Sequence, residues 1–466
     1  MVRASVAAEK AGVPAVSIVA TPFLTQAGAI AKGLGNADPA IAEYPGVPMI
    51  DTAEELRRKV VEQLLPRILH GWSERVPPTA TPAQAEPGPR DIVFKGTLLD
   101  VNEFFYRNLW SDGMPVYPPT ISRIEAFLRF TDRAPDAVIG VGLPEYREAT
   151  VWNIAVNGLM AGCRPEYMPV LIAVIEAIMD PVFSLEDGGA TPGWEPLVIV
   201  NGPIVKELDF NYGSGVMRVG RQANTSLGRF LRLYMRNIAG QRIPPGTGDK
   251  GSIGLTFNVA LAENEDAVEE LGWNSFGMDQ GFKRGENVVT VQSVVTVTSH
   301  AYTGGRDARN HAQIIAEVIG QSFAYWSCTG MRNNAWYPLI VMSPSVAKAI
   351  TDDGWTKADI RQYLYDHTMV EAGLVEKYAQ NAAHNNYTLR NLVERGVMPA
   401  RYHESDDPQR LVPVFVRPEW IGIVVAGDPG RNQSKGYVQN HKHGRPVSRR
   451  VQLPADWQLK LKLARQ

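Results

Sequence analysis

Between positions 213 and 238 the chain changes from loop to helix. Gly213, Gly215 and Gly220 make a soft stretch; after it Leu227, Phe230, Leu231, Tyr234 and Ile238 recur at helical spacing. The pattern predicts a helix beginning near Asn224, Thr225 and Ser226, three residue types suited to N-capping. Arg229, Arg232 and Arg236, three and four apart, share a second face. Near the N-terminus the same reading predicts a helix over Ser5–Lys10, a turn at Gly12–Pro14, a buried strand over Ala15–Ala20 and a helix over Ala27–Lys32. Thr52 and Glu55 form a capping box for a helix running to Leu69, with Leu56, Val60, Leu64 and Ile68 as one apolar stripe. Pro77 to Arg90 is rich in proline and alanine and reads as a linker.

Beyond the linker, helices are predicted over Val101–Trp110, Ile121–Phe130, Val151–Ala161, Val170–Ile178, Ala308–Phe323 and Lys357–His367. Leu197–Val200, Leu339–Met342 and Trp420–Ala426 read as buried strands, and Asn287–Thr298 alternates as a hairpin or one long strand. The fold class is α/β. Residues 1–76 form a small half-domain of doubly wound type whose few strands cannot close a core alone. Residues 77–92 are the linker, and residues 93–466 are a large α/β domain.

Composition narrows the function classes. Hydrophobic residues at 44% and charged residues at 21% describe an ordinary globular chain. A net charge of −2 gives no pull toward nucleic acid or an anionic membrane, so neither is expected as a partner. Cys163 and Cys328 are the only cysteines, which excludes a disulfide scaffold and a cysteine zinc site and fits a reducing cytoplasm. No run of eighteen uncharged apolar residues and no signal-peptide pattern occurs.

A glycine loop feeding a helix N-terminus offers unpaired N–H groups and the positive end of a dipole, which together suit an anion. Arg218 and Arg221 would add guanidinium donors, Gly220 close backbone approach, Asn224, Thr225 and Ser226 their amides, and Asn201 a donor at the end of a buried strand. The spacing is neither a Walker loop nor a dinucleotide fingerprint. Candidates for proton transfer or nucleophilic attack are Cys163 beside Arg164, Asp112 and Tyr117 in a proline-rich turn, Glu263 after a strand, and His300 at the end of a strand. Three have a plainer reading: a structural cysteine for Cys163, a turn aspartate for Asp112 and a helix cap for Glu263. His311 is a weak companion to His300. Gly427-Asp428-Pro429-Gly430 is a second strand-to-turn junction able to present N–H groups. The one close histidine pair, His441-Lys442-His443, lies in a basic stretch, so no metal is assigned and the cofactor stays unknown. No Gly-x-Ser-x-Gly elbow occurs.

The run from Ser5 to Phe23, Ser-Val-Ala-Ala-Glu-Lys-Ala-Gly-Val-Pro-Ala-Val-Ser-Ile-Val-Ala-Thr-Pro-Phe, resembles the UGSC family of (seleno)proteins. There a Sec/Cys-Gly-Ser-Cys motif precedes a helix and a strand of this kind. That family is in turn similar to component B of glycine reductase. The segments 112–120, 160–170, 200–203 and 220–229 resemble sequences that accompany it. The motif itself would fall just before Ser5, and no Cys-Gly-Ser-Cys occurs here. Either the redox centre is lost, or a separate small subunit supplies it and completes the first domain in a hetero-oligomer. The resemblance implies sulfur or selenium chemistry. The residues imply a subunit of an enzyme, oxidoreductase or lyase, acting on a small anionic molecule. A thiol-independent lyase or hydratase and a non-catalytic scaffold remain alternatives.

Overall fold

A computed structural model describes residues 2–34, 36, 38–73, 87–189, 193–243, 253–382, 387–439 and 445–466. The chain divides into two compact units: Met1–Val93 with Gly240–Gly251, and Phe94–Ala239 with Ser252–Gln466. Residues 77–86 of the expected linker and the pair His441 and His443 lie outside the described residues.

The first unit holds two parallel strands, β1 (Ser17–Ala20) and β2 (Ile41–Tyr44), with Ser17 opposite Ile41. The sequence pattern did not predict β2, a four-residue strand without clear alternation. Helices Val2–Lys10 and Leu24–Gly33 pack Val2, Val6, Ala27, Ile30 and Ala31 around Val19. Thr52 and Glu55 make both bonds of the expected capping box and start the helix Ala53–Lys59. The expected single stripe then breaks. Val60–Leu64 winds as a π-helix before Leu65–Ser73 continues, and this wider turn rotates the face. Val60, Leu64 and Ile68 still reach Ala42 and Tyr44, but Leu56 turns to solvent. Neither outer edge of the two-stranded sheet has a strand partner among the described residues, and Ile18 of β1 is exposed.

The second unit carries β3 (Val138–Gly142), β4 (Arg147–Thr150), β5 (Glu195–Asn201), β6 (Leu261–Ala262), β7 (Val288–Val294), β8 (Thr296–Tyr302), β9 (Leu339–Met342), β10 (Met369–Glu371), β11 (Leu411–Pro413), β12 (Gly422–Val425), β13 (Gln433–Val438) and β14 (Val447–Arg450). Two mixed four-stranded sheets dominate, ordered β14-β7-β5-β6 and β12-β9-β13-β8. The pairs β5/β6 and β12/β9 are parallel and the rest antiparallel. The fold is therefore mixed α/β. The stretch Asn287–Thr298 does not form a hairpin: β7 and β8 follow each other through Val295 but belong to different sheets. Val295 itself donates to the Val438 carbonyl at 2.9 Å, where the chain passes from one sheet to the other.

Apolar helices back these sheets. Val151–Ala161 begins in another capping box, Thr150 with Asn153, and ends where Gly162 takes a left-handed φ of 86°. Met168–Ile178 is apolar on nearly every face and is buried accordingly. Among the described residues no single helix is long and apolar enough to cross a membrane.

Candidate functional site

The glycine loop leads into the helix Gln222–Tyr234, which starts two residues earlier than the capping residues suggested. Arg221 occupies the N-cap position and makes no side-chain cap bond. The three polar residues instead sit inside the helix, where tertiary bonds occupy Asn224 and local bonds occupy Thr225 and Ser226. The Asn224 amide accepts from Asn211 N at 2.7 Å and donates to the carbonyls of Asn211 and Ala260, both at 2.9 Å. Thr225 Oγ1 accepts from Gly220 N at 3.2 Å, and Ser226 Oγ donates to the Gln222 carbonyl at 2.7 Å. Asn224 thus ties the loop's start to the segment before β6. Gly228 is needed where the same helix meets that segment, because a Cβ there would come within 2.3 Å of Val259 N.

The arginines divide sharply by role. Arg221 makes two bonds to the Asp209 carboxylate, at 2.9 and 2.7 Å. Arg229 grips Asp112 at 2.9 and 2.8 Å, Arg232 pairs with Glu195, and Arg236 donates to the Leu109 carbonyl at 2.8 Å. The arginine face of the helix is thus a row of clamps on residues 109–115 and on β5. Arg218 is different. Val216 and Met217 beside it join a buried cluster that draws Leu197, Ile199 and Leu261 from the first sheet and Leu339, Val341, Val424 and Tyr437 from the second. Gly427 N, just past β12, donates to the Tyr212 carbonyl at 3.0 Å and pins the loop's start.

On that sheet His300 stands directly opposite Lys435 across β8 and β13. His300 was expected at a strand end; it lies within β8, exposed, with its ring stacked near Tyr302 at 6.0 Å. Partial burial, then the positive charges of Lys435 and Arg218, hold its imidazole below the ordinary value of 6.5. Among the described residues neither Arg218 nor Lys435 has an acidic partner. Lys435 carries no motif, and only its strand register reveals it. The buried His311 supports the loop after β8: Nε2 contacts the Gly305 carbonyl at 3.1 Å and Nδ1 the Thr303 hydroxyl at 2.7 Å. A carbonyl can only accept, so Nε2 carries the proton.

A second group gathers elsewhere along the same helix. Cys163 is buried just after Gly162, and burial pushes its thiol up to about 12, although the hydrogen bond with Ser226 and the charge of Arg229 favour the thiolate. Arg164 pairs with Glu166 at 2.6 Å. Burial would raise the Asp112 carboxyl, but the Arg229 hydrogen bonds and charge hold it below its usual range. Tyr117 is exposed; its N donates to the Met160 carbonyl at 3.4 Å, and its ring lies where a Cβ on Gly162 would meet it at 3.5 Å. The structure therefore joins Asp112, Tyr117, Cys163 and Ser226.

Asn201 and Glu263 form a third, fully buried group. Glu263 accepts from Asn201 Nδ2 at 2.7 Å, Phe276 N at 2.6 Å and Val425 N at 3.1 Å, and so bridges the two sheets. Burial raises its carboxyl, against the lowering pull of Lys357 and these donors. Asn264 caps the short helix that follows, accepting from Ala267 N. The turn at Gly427–Gly430 uses two of its N–H groups internally, on Tyr212 and Asp428. Among the described residues no group of three or more metal-ligating side chains converges.

A cleft of about 640 Å³ opens elsewhere in this unit, between β3, β14 and the end of the helix Met168–Ile178. None of the candidate residues lines it. Its walls come from four separate stretches of chain, which no local pattern could assemble.

Residues 1–74 match the UGSC family. The match ends before the later segments at 112–120, 160–170, 200–203 and 220–229. Neither the curated proteins nor the solved structures gave a match to the chain.

Proposed function

Residues 1–74 being a UGSC-family segment, we propose that the chain is a subunit of an enzyme acting on a small anionic, carboxylate-like molecule. The anion is held by Arg218 and Lys435. His300, across the ladder from Lys435 and within the field of Arg218, stays neutral at neutral pH because its imidazole is held low, so it is free to take a proton from the bound molecule. The single observation that carries the reading is this trio of basic side chains whose two permanent charges lack an acidic partner. Arg221, Asn224, Thr225 and Ser226 shape the loop that aims Arg218, rather than touching the anion themselves. Gly220, with φ at 149°, gives that loop its last bend.

Sulfur chemistry in such an assembly falls to a partner subunit. Burial holds both cysteines of this chain as thiols, pushed up to about 12 for Cys163 and about 11 for Cys328. The edges of the β1–β2 sheet, unpaired among the described residues, support a separate small subunit that completes the first unit. The same two thiols favour a second reading, a lyase or hydratase working through His300 by acid–base chemistry alone. Calorimetric titration with acetate, lactate and succinate tests the site. Saturable binding that weakens about fivefold in Arg218→Ala and in Lys435→Ala is expected, the worth of one solvent-facing charge pair. Absence of binding by the intact assembly would leave a scaffold role.

A further inference from the structure

The cleft of about 640 Å³ is walled on one side by β14, the edge strand of its sheet. Its other walls include Ile139 of β3, Met179, Pro181 and Phe282. The direction of the β14 backbone follows from its pairing. Val451 N donates to the Asn287 carbonyl at 2.8 Å, on the β7 side. In an antiparallel ladder the groups facing the partner alternate, so Val447 and Arg449 also point their backbone groups toward β7. Ser448, Arg450 and Gln452 then point theirs outward, and all three line the cleft together with the Arg449 side chain. Among the described residues the Ser448 carbonyl accepts only from the neighbouring guanidinium, Arg449 Nη1 at 2.9 Å. A sheet edge with unpaired N–H and C=O groups is a template for one more strand.

Charge then selects the occupant. The acids in the cleft, Glu176 and Asp180, are each engaged by an arginine, Arg133 and Arg449. Arg450 pairs with Glu286 at 2.7 Å, yet its side chain stays 61% exposed against 22% for the glutamate. The charge offered to solvent along the strand is therefore positive. We propose that this cleft binds an extended acidic peptide segment of a partner protein, added to β14 as a fifth strand. Its backbone pairs with Ser448 and Arg450, apolar side chains on one face meet Ile139, Met179 and Pro181, and acidic side chains on the other reach Arg450. The site is independent of the anion trio and does not rest on the enzymatic reading.

The test uses the full-length chain and a fluorescein-labelled peptide of alternating glutamate and valine, followed by fluorescence anisotropy. Saturable binding is expected, falling with added salt, with a lysine–valine counterpart at least about tenfold weaker. Arg450→Pro removes one outward N–H while leaving the β7 ladder intact and should weaken binding about fivefold or more. Arg450→Glu and Met179→Glu keep the backbone and should weaken it similarly by repulsion, so a misfolded proline variant would not decide the matter. Equal affinity for both peptides, or binding unchanged in all three variants, overturns the proposal. So does a concentration-dependent dimer that Arg450→Pro dissolves, which would assign the edge to a second copy of the chain.

Discussion

The bidentate pair Arg229–Asp112 joins the proline-rich turn to the helix after the glycine loop, and its removal has a calculable cost. The two bonds measure 2.9 and 2.8 Å, and the side chains are 13% and 17% exposed. Arg229 also donates to the Pro115 carbonyl at 2.8 Å. Exposed pairs contribute about 0–1 kcal/mol, while breaking a buried one costs about 3–5, because the abandoned partner stays charged and half-solvated. This pair lies between those limits, so Arg229→Ala and Asp112→Ala should each cost about 2–4 kcal/mol. The double variant should fall short of their sum by at least ~1 kcal/mol, since removing the second partner removes the stranded charge. Urea unfolding of wild type, both single variants and the double variant, followed by tryptophan fluorescence, measures the cycle. The pH dependence has a definite sign. The Asp112 carboxyl is held below its unfolded value, so its stability is present above about 3.8 and is lost as pH falls through the folded value. A coupling within ~0.3 kcal/mol of zero at neutral pH would refute the reasoning.

Three further outcomes are expected. Cys163, buried and pushed up to about 12, should resist iodoacetamide in the native chain at mildly alkaline pH and react after unfolding; rapid native alkylation would contradict its protonated state. Glu263 is raised above 4.5, so the stability it contributes is fullest below about 4.5 and is lost as pH rises through its folded value. Relative to Glu263→Gln, wild type should therefore lose stability as pH rises, and a difference independent of pH would count against this. Gly228→Ala would press a methyl group onto the Val259 backbone at 2.3 Å and should cost at least ~2 kcal/mol, read as a lowered melting temperature.

What the sequence revealed depended on how local each signal was. The capping box of Thr52 and Glu55 needs only neighbouring residues, and it forms as read. The largely apolar Val151–Ala161 helix was legible to the residue for the same reason. The helix after the glycine loop was legible as a helix, but its start was not. Asn224 and Thr225 have capping chemistry, and partners at Asn211, Ala260 and Gly220 draw it away. The alternation over residues 287–298 gave strand, but whether β7 and β8 share a sheet depends on β13, more than a hundred residues away. Arg221 and Arg218 look alike in sequence, and only the position of Asp209 separates the paired one from the other. Lys435 and the cleft beside β14 exist only as products of register and packing.

The account turns on whether His300, Lys435 and Arg218 receive an anion, and the His300 ring reports this directly. An NMR titration of the imidazole should give a value below 6.5 in the free chain. Saturating lactate should raise it, because a bound carboxylate offsets the two neighbouring cations. In Arg218→Ala the starting value should be higher and the response to lactate smaller. A His300 titration at or above 6.5 that lactate leaves unmoved would contradict the anion site.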